Sequence, residues 1–289
     1  MCKRKQRDYR TEFEKSAEER YFTMRDGVKV RALVFDFAEK PHKYKIFMIP
    51  GFATVFQGWS EMIERLSKDF TIYYFESREK SSSIMPSRKV ARKTDLHKMA
   101  YDIKEVIEQL KLEEGKYITI SSSTGGTIEV EALSEKWIHP DGAILIGPTI
   151  EYHIHWFPAL IVTIFPAFLK ALFTPLFRFY MGTFYVDKKK HPEQYAKYVR
   201  AYEEIQVIKI KTLLWQITKY KCWEMPPKID ETKCILVGAS EDKMHAAEET
   251  MKTHKLIPNS EYVDLGTNKA THTKPLVDLA RKFIADLEK

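Results

Sequence analysis

The sequence predicts an α/β fold built on a mainly parallel sheet with helices on both faces. Short apolar runs typical of buried strands recur along the 289 residues, and amphipathic helical segments separate them. Strands that alternate with helices in sequence usually pair in parallel, and a chain of this length fits one such domain. The predicted strands of the parallel part are residues 45–50, 71–77, 117–121, 142–148, 234–239 and 261–266.

A hairpin is predicted ahead of these strands. Residues 21–37 alternate between apolar and polar side chains on both sides of Asp26-Gly27, a dipeptide typical of tight turns. The preceding residues 1–20 are charged and lack apolar periodicity, so we expect an N-terminal arm or a short leading helix there.

The predicted helices are recognised by their apolar spacing. In the clearest case, apolar residues from Leu96 to Leu110 recur at spacings of three and four, which marks one helix face, and Gly115 is expected to end that helix. The other predicted helices are residues 60–70, 124–137, 242–254 and 275–287.

One stretch, residues 149–228, interrupts this alternation. It contains no clear strand but many aromatic residues and prolines, so we interpret it as a helical cap inserted into a core of residues 21–148 and 229–289. Its apolar run 156–177 is long enough to suggest a membrane span, but prolines and Lys170 interrupt it, and strands of one sheet lie on both sides of it. We therefore expect its apolar face to line an acyl pocket or to contact a membrane surface.

The most informative stretch is residues 117–130, where a buried strand leads through small residues directly into a helix. A turn this sharp strains the residue at its apex and requires small residues two positions before and after it. Ser123 has such flanks, Ser121 and Gly125. The flanks of Ser122 are both β-branched, and those of Ser121 include no glycine, so Ser123 is the predicted apex.

This small-x-Ser-x-Gly pattern resembles the nucleophile elbow, G-x-S-x-G, of the α/β-hydrolase family of serine hydrolases. Ser121 stands where the family usually has its first glycine. The resemblance covers about residues 21–289 except the insertion, which falls where many family members have a helical cap. It implies an α/β-hydrolase fold, Ser123 as the nucleophile and no cofactor.

The resemblance extends to the loops after the first two parallel strands. The first strand ends in Pro50-Gly51-Phe52, where the family has an oxyanion-hole loop, so the resemblance implies the N–H groups of Phe52 and Thr124 as oxyanion donors. After the second strand, the family usually has D-x-R-G-x-G-x-S, whereas this chain has ESREKSSS at 76–83. Arg78 is kept but the glycines are lost, so we expect this loop to differ in shape.

The remaining members of the implied triad follow the last two strands. Glu241 and Asp242 are both candidate acids, because the family places its acid after the strand at 234–239. Aspartate is the commoner partner, which favours Asp242 and leaves Glu241 as the alternative. His272 lies just before the C-terminal helix, like the family's catalytic histidine, and the order Ser123, Asp242, His272 is the family's chain order.

Neither a metal site nor a disulfide framework is indicated. The three cysteines are odd in number and have no metal-ligand spacing. His153 and His155 form an H-x-H pair, a spacing that can bind zinc, but no further ligand cluster is evident near them in sequence. We interpret this pair as residues at the mouth of the pocket.

Composition and charge exclude several classes of protein. With 44% hydrophobic and 30% charged residues, a mostly disordered chain is excluded. The net charge of +7 suits an anionic membrane surface or an acidic ligand, but no nucleic-acid-binding motif is present, so we expect no nucleic-acid partner. Because the charged N-terminus does not resemble a secretory signal, we expect a cytoplasmic protein that contacts a membrane, if at all, through its cap.

Together these inferences predict a serine hydrolase of esterase or lipase type that cleaves carboxylic esters with apolar acyl chains through an acyl-enzyme. Two alternatives stay open from the sequence. One is a thioesterase or acyltransferase that uses the same triad, and the other is a non-catalytic binding protein with the hydrolase fold.

Overall fold

The computed structural model describes residues 8–152, 156–164, 166, 169–189, 192–241 and 247–289. Its eight strands are β1 (Glu18–Thr23), β2 (Lys29–Phe35), β3 (Tyr44–Ile49), β4 (Ile72–Glu76), β5 (Lys116–Ser122), β6 (Gly142–Ile146), β7 (Lys233–Gly238) and β8 (Ser260–Asp264). They form one sheet in the order β1-β2-β4-β3-β5-β6-β7-β8. Pairing is antiparallel for β1–β2 and β2–β4 and parallel for the other strands, which confirms the predicted sheet.

Helices cover both faces of this sheet. They are α1 (Glu12–Lys15), α2 (Ser60–Leu66), α3 (Arg88–Ala91), α4 (Leu96–Leu110), α5 (Thr124–Ser134), α6 (Trp156–Ile164), α7 (Leu169–Tyr180), α8 (Pro192–Glu204), α9 (Val207–Ile217), α10 (Ala247–Leu256) and α11 (Lys274–Leu287). Because successive strand residues point to opposite faces, Phe47 packs with α4 and α5 on one face, while Met48 packs with α2 and α11 on the other.

Two boundaries differ from the sequence-based expectation. Helix α4 ends at Leu110 because Lys111 adopts a left-handed conformation, with φ 53°, and a short 3₁₀ turn precedes Gly115. At the other end of the chain, β1 begins inside the segment predicted as an arm, and Glu14 of α1 is buried. The described part of this segment is therefore packed against the rest of the protein.

Between β6 and β7, the described residues form helices α6–α9, which we call the insertion helices, and no strand. A single backbone bridge between Glu151 and Lys221 closes the base of this segment. None of the helices within the described residues is both long enough and apolar enough to cross a membrane.

Candidate active site

Ser123 occupies the junction between β5 and α5, with φ 49° and ψ −123°. A positive φ is rare for any residue other than glycine and costs about 1–3 kcal/mol. The conformation is held on both sides, because the Ser123 N–H donates to the Ile146 carbonyl at 2.9 Å and the Ser123 carbonyl accepts from the Thr127 N–H at 3.0 Å. The backbone therefore presents this serine at a sharp strand-to-helix turn.

The small residues after Ser123 are required by close backbone approach. A methyl group added at Gly125 would lie 2.1 Å from the Ile49 carbonyl oxygen, a separation that no side chain can adopt. One added at Gly126 would lie 3.0 Å from the Pro148 side chain. Helix α5 can thus begin directly below β3 only because its first turn carries glycines.

The neighbouring serines are in different surroundings. Ser121 is buried at 1% exposure, and the Ser122 hydroxyl accepts the N–H of Gly51 at 3.2 Å. Ser123 is half-buried and alone among the three has a positive φ.

The loop after β3 passes over this turn. A methyl group added at Gly51 would lie 3.1 Å from the Cβ of Ser123, so the loop approaches the serine at the residue before Phe52. On the other side, Thr124 is the first residue of α5, and N–H groups of a first helical turn have no carbonyl partner within the helix. The Tyr152 hydroxyl donates to Thr124 Oγ1 at 3.0 Å and fixes that side chain.

Lys80, which the sequence analysis did not identify, binds the backbone of the loop after β3. Its ammonium group is buried and donates to the carbonyl oxygens of Gly51 and Thr54, each at 2.9 Å. The same ammonium lies 3.4 Å from Glu79, which is also buried. Between the two carbonyls lies Ala53, whose φ of 54° is again unusual for a residue with a side chain.

A second buried lysine connects this arrangement to the insertion helices. Lys209 of α9 donates to the Lys80 carbonyl at 2.6 Å, to the Ser83 carbonyl at 3.0 Å and to the Ser83 hydroxyl at 2.7 Å. Burial lowers the pKa of the Lys209 ammonium to about 8. The only sequence signal for this pair of lysines is the loss of the family's glycines at 76–83.

His272 lies in a short 3₁₀ turn just before α11. Its ring packs against the buried ring of Trp59, with 4.1 Å between centroids, and its Nδ1 lies 2.9 Å from the carbonyl oxygen of Asn268. Trp59 closes the loop that starts at Gly51, so one loop contacts the turn of Ser123 at its beginning and His272 at its end.

Of the two candidate acids, Asp242 lies outside the described residues. Glu241 is described, with an exposed side chain and a backbone N–H that donates to the Gly266 carbonyl at 2.8 Å. Asp264, at the end of β8, accepts the N–H groups of Gly266 at 2.8 Å and Ser240 at 3.0 Å, and these bonds lower the pKa of its carboxyl group. The loops that carry the candidate acids and His272 are thereby bound to each other.

The described residues contain no group of three or more His, Cys, Asp or Glu side chains that could hold a metal ion. His153 and His155 lie outside the described residues. A small cleft lies beside the loop after β3, between residues 52–55, residues 79–81 and helices α8 and α9, with an enclosed volume of about 20 Å³. A space of this volume holds about one water molecule, well below the size of a substrate pocket.

Family models and curated protein sequences give no match to this chain. Solved structures do match. An enol-lactonase from Burkholderia xenovorans LB400 superposes with a TM-score of 0.70 at 15% identity, over 93% of this chain and 99% of the lactonase. An esterase from Thermogutta terrifontis has a TM-score of 0.69 at 15% identity, over 94% of this chain and 100% of the esterase. An esterase from a Rhodococcus species has a TM-score of 0.69 at 16% identity, over 93% of this chain and 99% of that esterase. The chain therefore has the α/β-hydrolase fold, as its sequence predicted.

Proposed function

We propose that this protein is a serine hydrolase that cleaves carboxylic esters. The observation that carries the proposal is the strained turn of Ser123, positioned against the glycine-containing loop after β3. Strain of this kind persists only where surrounding structure enforces it, and it is a feature of serine nucleophiles on this fold. The esterases and the lactonase with the same fold support the reaction class, because all three names describe ester substrates.

In the proposed mechanism, the Ser123 hydroxyl oxygen attacks the acyl carbonyl while His272 Nε2 takes its proton. A neutral His272 with its proton on Nδ1 carries its basic lone pair on Nε2, the atom that accepts the serine proton. The imidazolium then protonates the departing alcohol, and an acyl-enzyme remains. Water, deprotonated by the same histidine, cleaves the acyl-enzyme and restores the serine. We assign Asp242 as the acid that stabilises the imidazolium, with Glu241 as the alternative.

Negative charge develops on the carbonyl oxygen during both steps. The N–H groups of Phe52 and Thr124 are the proposed donors to this oxygen, since one lies in the loop against Ser123 and the other starts α5. Each donor of this kind typically contributes about 10²–10³ in rate.

A fluorophosphonate probe tests the nucleophile. We expect covalent labelling of the wild-type protein, and we expect Ser123→Ala to lose both labelling and hydrolysis of p-nitrophenyl esters. Ser122→Ala is the matched control, because its hydroxyl is used in a bond to Gly51. Labelling that persists in Ser123→Ala and disappears in Ser122→Ala would show that Ser122, and not Ser123, is the nucleophile. A wild-type protein that the probe does not label would favour a non-catalytic protein.

A pair of isosteric variants tests the acid. Removing the true partner of the histidine can reduce kcat by about 10⁴. We expect Asp242→Asn to cause a loss of this order and Glu241→Gln to have little effect on ester hydrolysis. Equally small losses from both variants would place the acid elsewhere.

A further inference from the structure

Large apolar side chains are exposed mainly in one region of the protein. Thirteen of them are exposed within the described residues, and ten of the thirteen lie between residues 156 and 184. The ten are Trp156, Phe157, Ile161, Ile164, Leu172, Phe173, Leu176, Phe179, Tyr180 and Phe184. Single exposed apolar residues are ordinary, but a concentration of this kind marks a surface that something else covers.

Helix α6 has an apolar outer side and a bonded inner side. Phe157, Ile161 and Ile164 are exposed and recur at spacings of four and three, so they share one face. On the other face, Thr163 accepts the indole N–H of Trp215 at 2.6 Å, and that tryptophan belongs to α9.

Helix α7 repeats this arrangement. Its exposed stripe consists of Leu172, Leu176 and Phe179, again at spacings of four and three. On its inner face, Lys170 donates to the Glu203 carbonyl at 2.9 Å, and Phe177 stacks on a tyrosine of α8 with 3.9 Å between ring centroids. In both helices the polar side chains named above bond to the protein while the exposed stripe is apolar, the reverse of a helix face that meets water.

The charge around these stripes identifies the covering surface. Residues 152–186 contain no Asp or Glu; Asp187 follows, and after it Lys188 and Lys189 are exposed. Aromatic and aliphatic side chains beside lysines are typical of segments that lie in the headgroup region of an anionic bilayer. A second copy of this positively charged face would bring lysines against lysines, which disfavours self-association.

We propose that α6, α7 and the following turn, Met181–Tyr185, form a docking surface for an anionic lipid bilayer. The two helices have 9 and 12 residues, too short to cross the hydrocarbon core, so they lie in the plane of the interface with their stripes inserted. Docking leaves the sheet and the turn of Ser123 outside the bilayer and does not depend on whether this serine is catalytic.

Co-sedimentation with sucrose-loaded vesicles tests this surface without any turnover. We expect the full-length protein to bind vesicles of phosphatidylcholine and phosphatidylserine at about three to one. Binding to phosphatidylcholine alone should be at least about tenfold weaker, because each lysine near an anionic surface raises the affinity about fivefold. We expect the triple variant Leu172→Ser, Leu176→Ser, Phe179→Ser to lose at least tenfold in binding. The double variant Tyr21→Ser, Ile84→Ser is the matched control, since both residues are exposed far from the insertion helices in sequence, and it should bind like wild type.

Circular dichroism of each variant establishes that it is folded before binding is compared. The proposal would be overturned if the wild-type protein bound neither kind of vesicle. It would also be overturned if the triple variant bound as strongly as wild type. Light scattering without lipid decides the remaining case. A wild-type dimer that the triple variant converts to a monomer, with no vesicle binding by either, would assign the stripes to a second copy of the chain and overturn the membrane surface.

Discussion

The Lys80 ammonium group donates both of its described hydrogen bonds to the turn that contains the proposed oxyanion donor Phe52. Its two acceptors, the carbonyls of Gly51 and Thr54, are the ends of that turn, so the lysine fixes their separation. A donor N–H contributes to catalysis only when it is held where charge will develop. We therefore infer that Lys80 positions the proposed donor Phe52 without contacting substrate.

We predict that Lys80→Met reduces kcat for ester hydrolysis by roughly tenfold to a hundredfold and leaves KM nearly unchanged. The reason is that a loosened oxyanion donor is lost in the transition state more than in the ground state. Steady-state kinetics with a p-nitrophenyl ester measures this division. A change confined to KM would contradict the positioning role.

The double variant Glu79→Gln, Lys80→Met is the control for buried charge. Lys80→Met alone leaves the Glu79 carboxylate buried beside an apolar side chain, which lowers stability as well as activity. In the double variant both buried charges are removed together, but the methionine cannot bond to the carbonyls of Gly51 and Thr54. We expect its melting temperature to recover while kcat stays low.

Ser123 could be predicted from the sequence because its constraint is local: residues within two positions must be small. Lys80 could not, because it binds backbone carbonyls nearly thirty residues away, and any residue supplies a carbonyl. For His272, chain order is the signal on which its proposed role depends, and that role stays a prediction. The choice of Asp242 over Glu241 stays a prediction, since residue 242 lies outside the described residues.

At the scale of secondary structure elements, helix α5 is buried on every side, although its sequence contains two glutamates. Glu129 is fully buried, and no hydrogen bond of standard geometry reaches its carboxyl group within the described residues. The Ser121 and Thr119 hydroxyls of β5 lie beside it. Burial raises the pKa of this carboxyl from an ordinary value near 4.5 to about 7, so α5 carries a neutral acid under mildly acidic conditions.

This pKa predicts how stability depends on pH. Between about pH 4.5 and pH 7 the unfolded chain loses the Glu129 proton while the folded chain keeps it, so the free energy of unfolding falls as pH rises. The total loss is about 3 kcal/mol. We predict that Glu129→Gln removes this loss. The free energy of unfolding of the variant, relative to wild type, should then rise by about 2–3 kcal/mol from pH 5 to pH 8, as measured by urea unfolding.

Glu135→Gln is the matched control for this experiment. Glu135 follows the same helix, is exposed and lies 3.6 Å from Lys228 at the surface. It should shift stability by no more than about 0.5 kcal/mol and equally at both pH values. A Glu129→Gln variant that follows the wild-type pH profile would show that the carboxyl is ionised in the folded protein.

The sequence patterns identified the parallel strands, the hairpin and helices α2, α4, α5 and α11, because burial on one or both faces leaves a periodic trace. They did not reveal that Glu129 faces the core. The glutamates of α5 indicate a solvent-exposed face when they are read alone. In the structure this helix lies against both the sheet and α4, and that placement depends on the whole fold.

At the scale of the whole molecule, the N-terminal segment fastens the insertion helices to the sheet domain. Glu14 of α1 accepts two hydrogen bonds from the guanidinium of Arg200 in α8, each at 2.6 Å, and both side chains are buried. A third bond joins the same guanidinium to Glu204 at 2.6 Å. Residues nearly two hundred positions apart thus form one ion-paired group, and a segment with no apolar periodicity becomes part of the folded core.

We predict that Glu14→Gln lowers the free energy of unfolding by about 3 kcal/mol, because a buried guanidinium loses its bidentate carboxylate and keeps only a half-buried one. For a chain of this size the melting temperature should fall by roughly 5 °C, as measured by differential scanning calorimetry. Glu12→Gln is the matched control, since Glu12 is on the same short helix and its side chain is 92% exposed beside Lys15. Its effect should stay within about 0.5 kcal/mol. Equal melting temperatures for the two variants would mean that the segment lies on the protein without stabilising it.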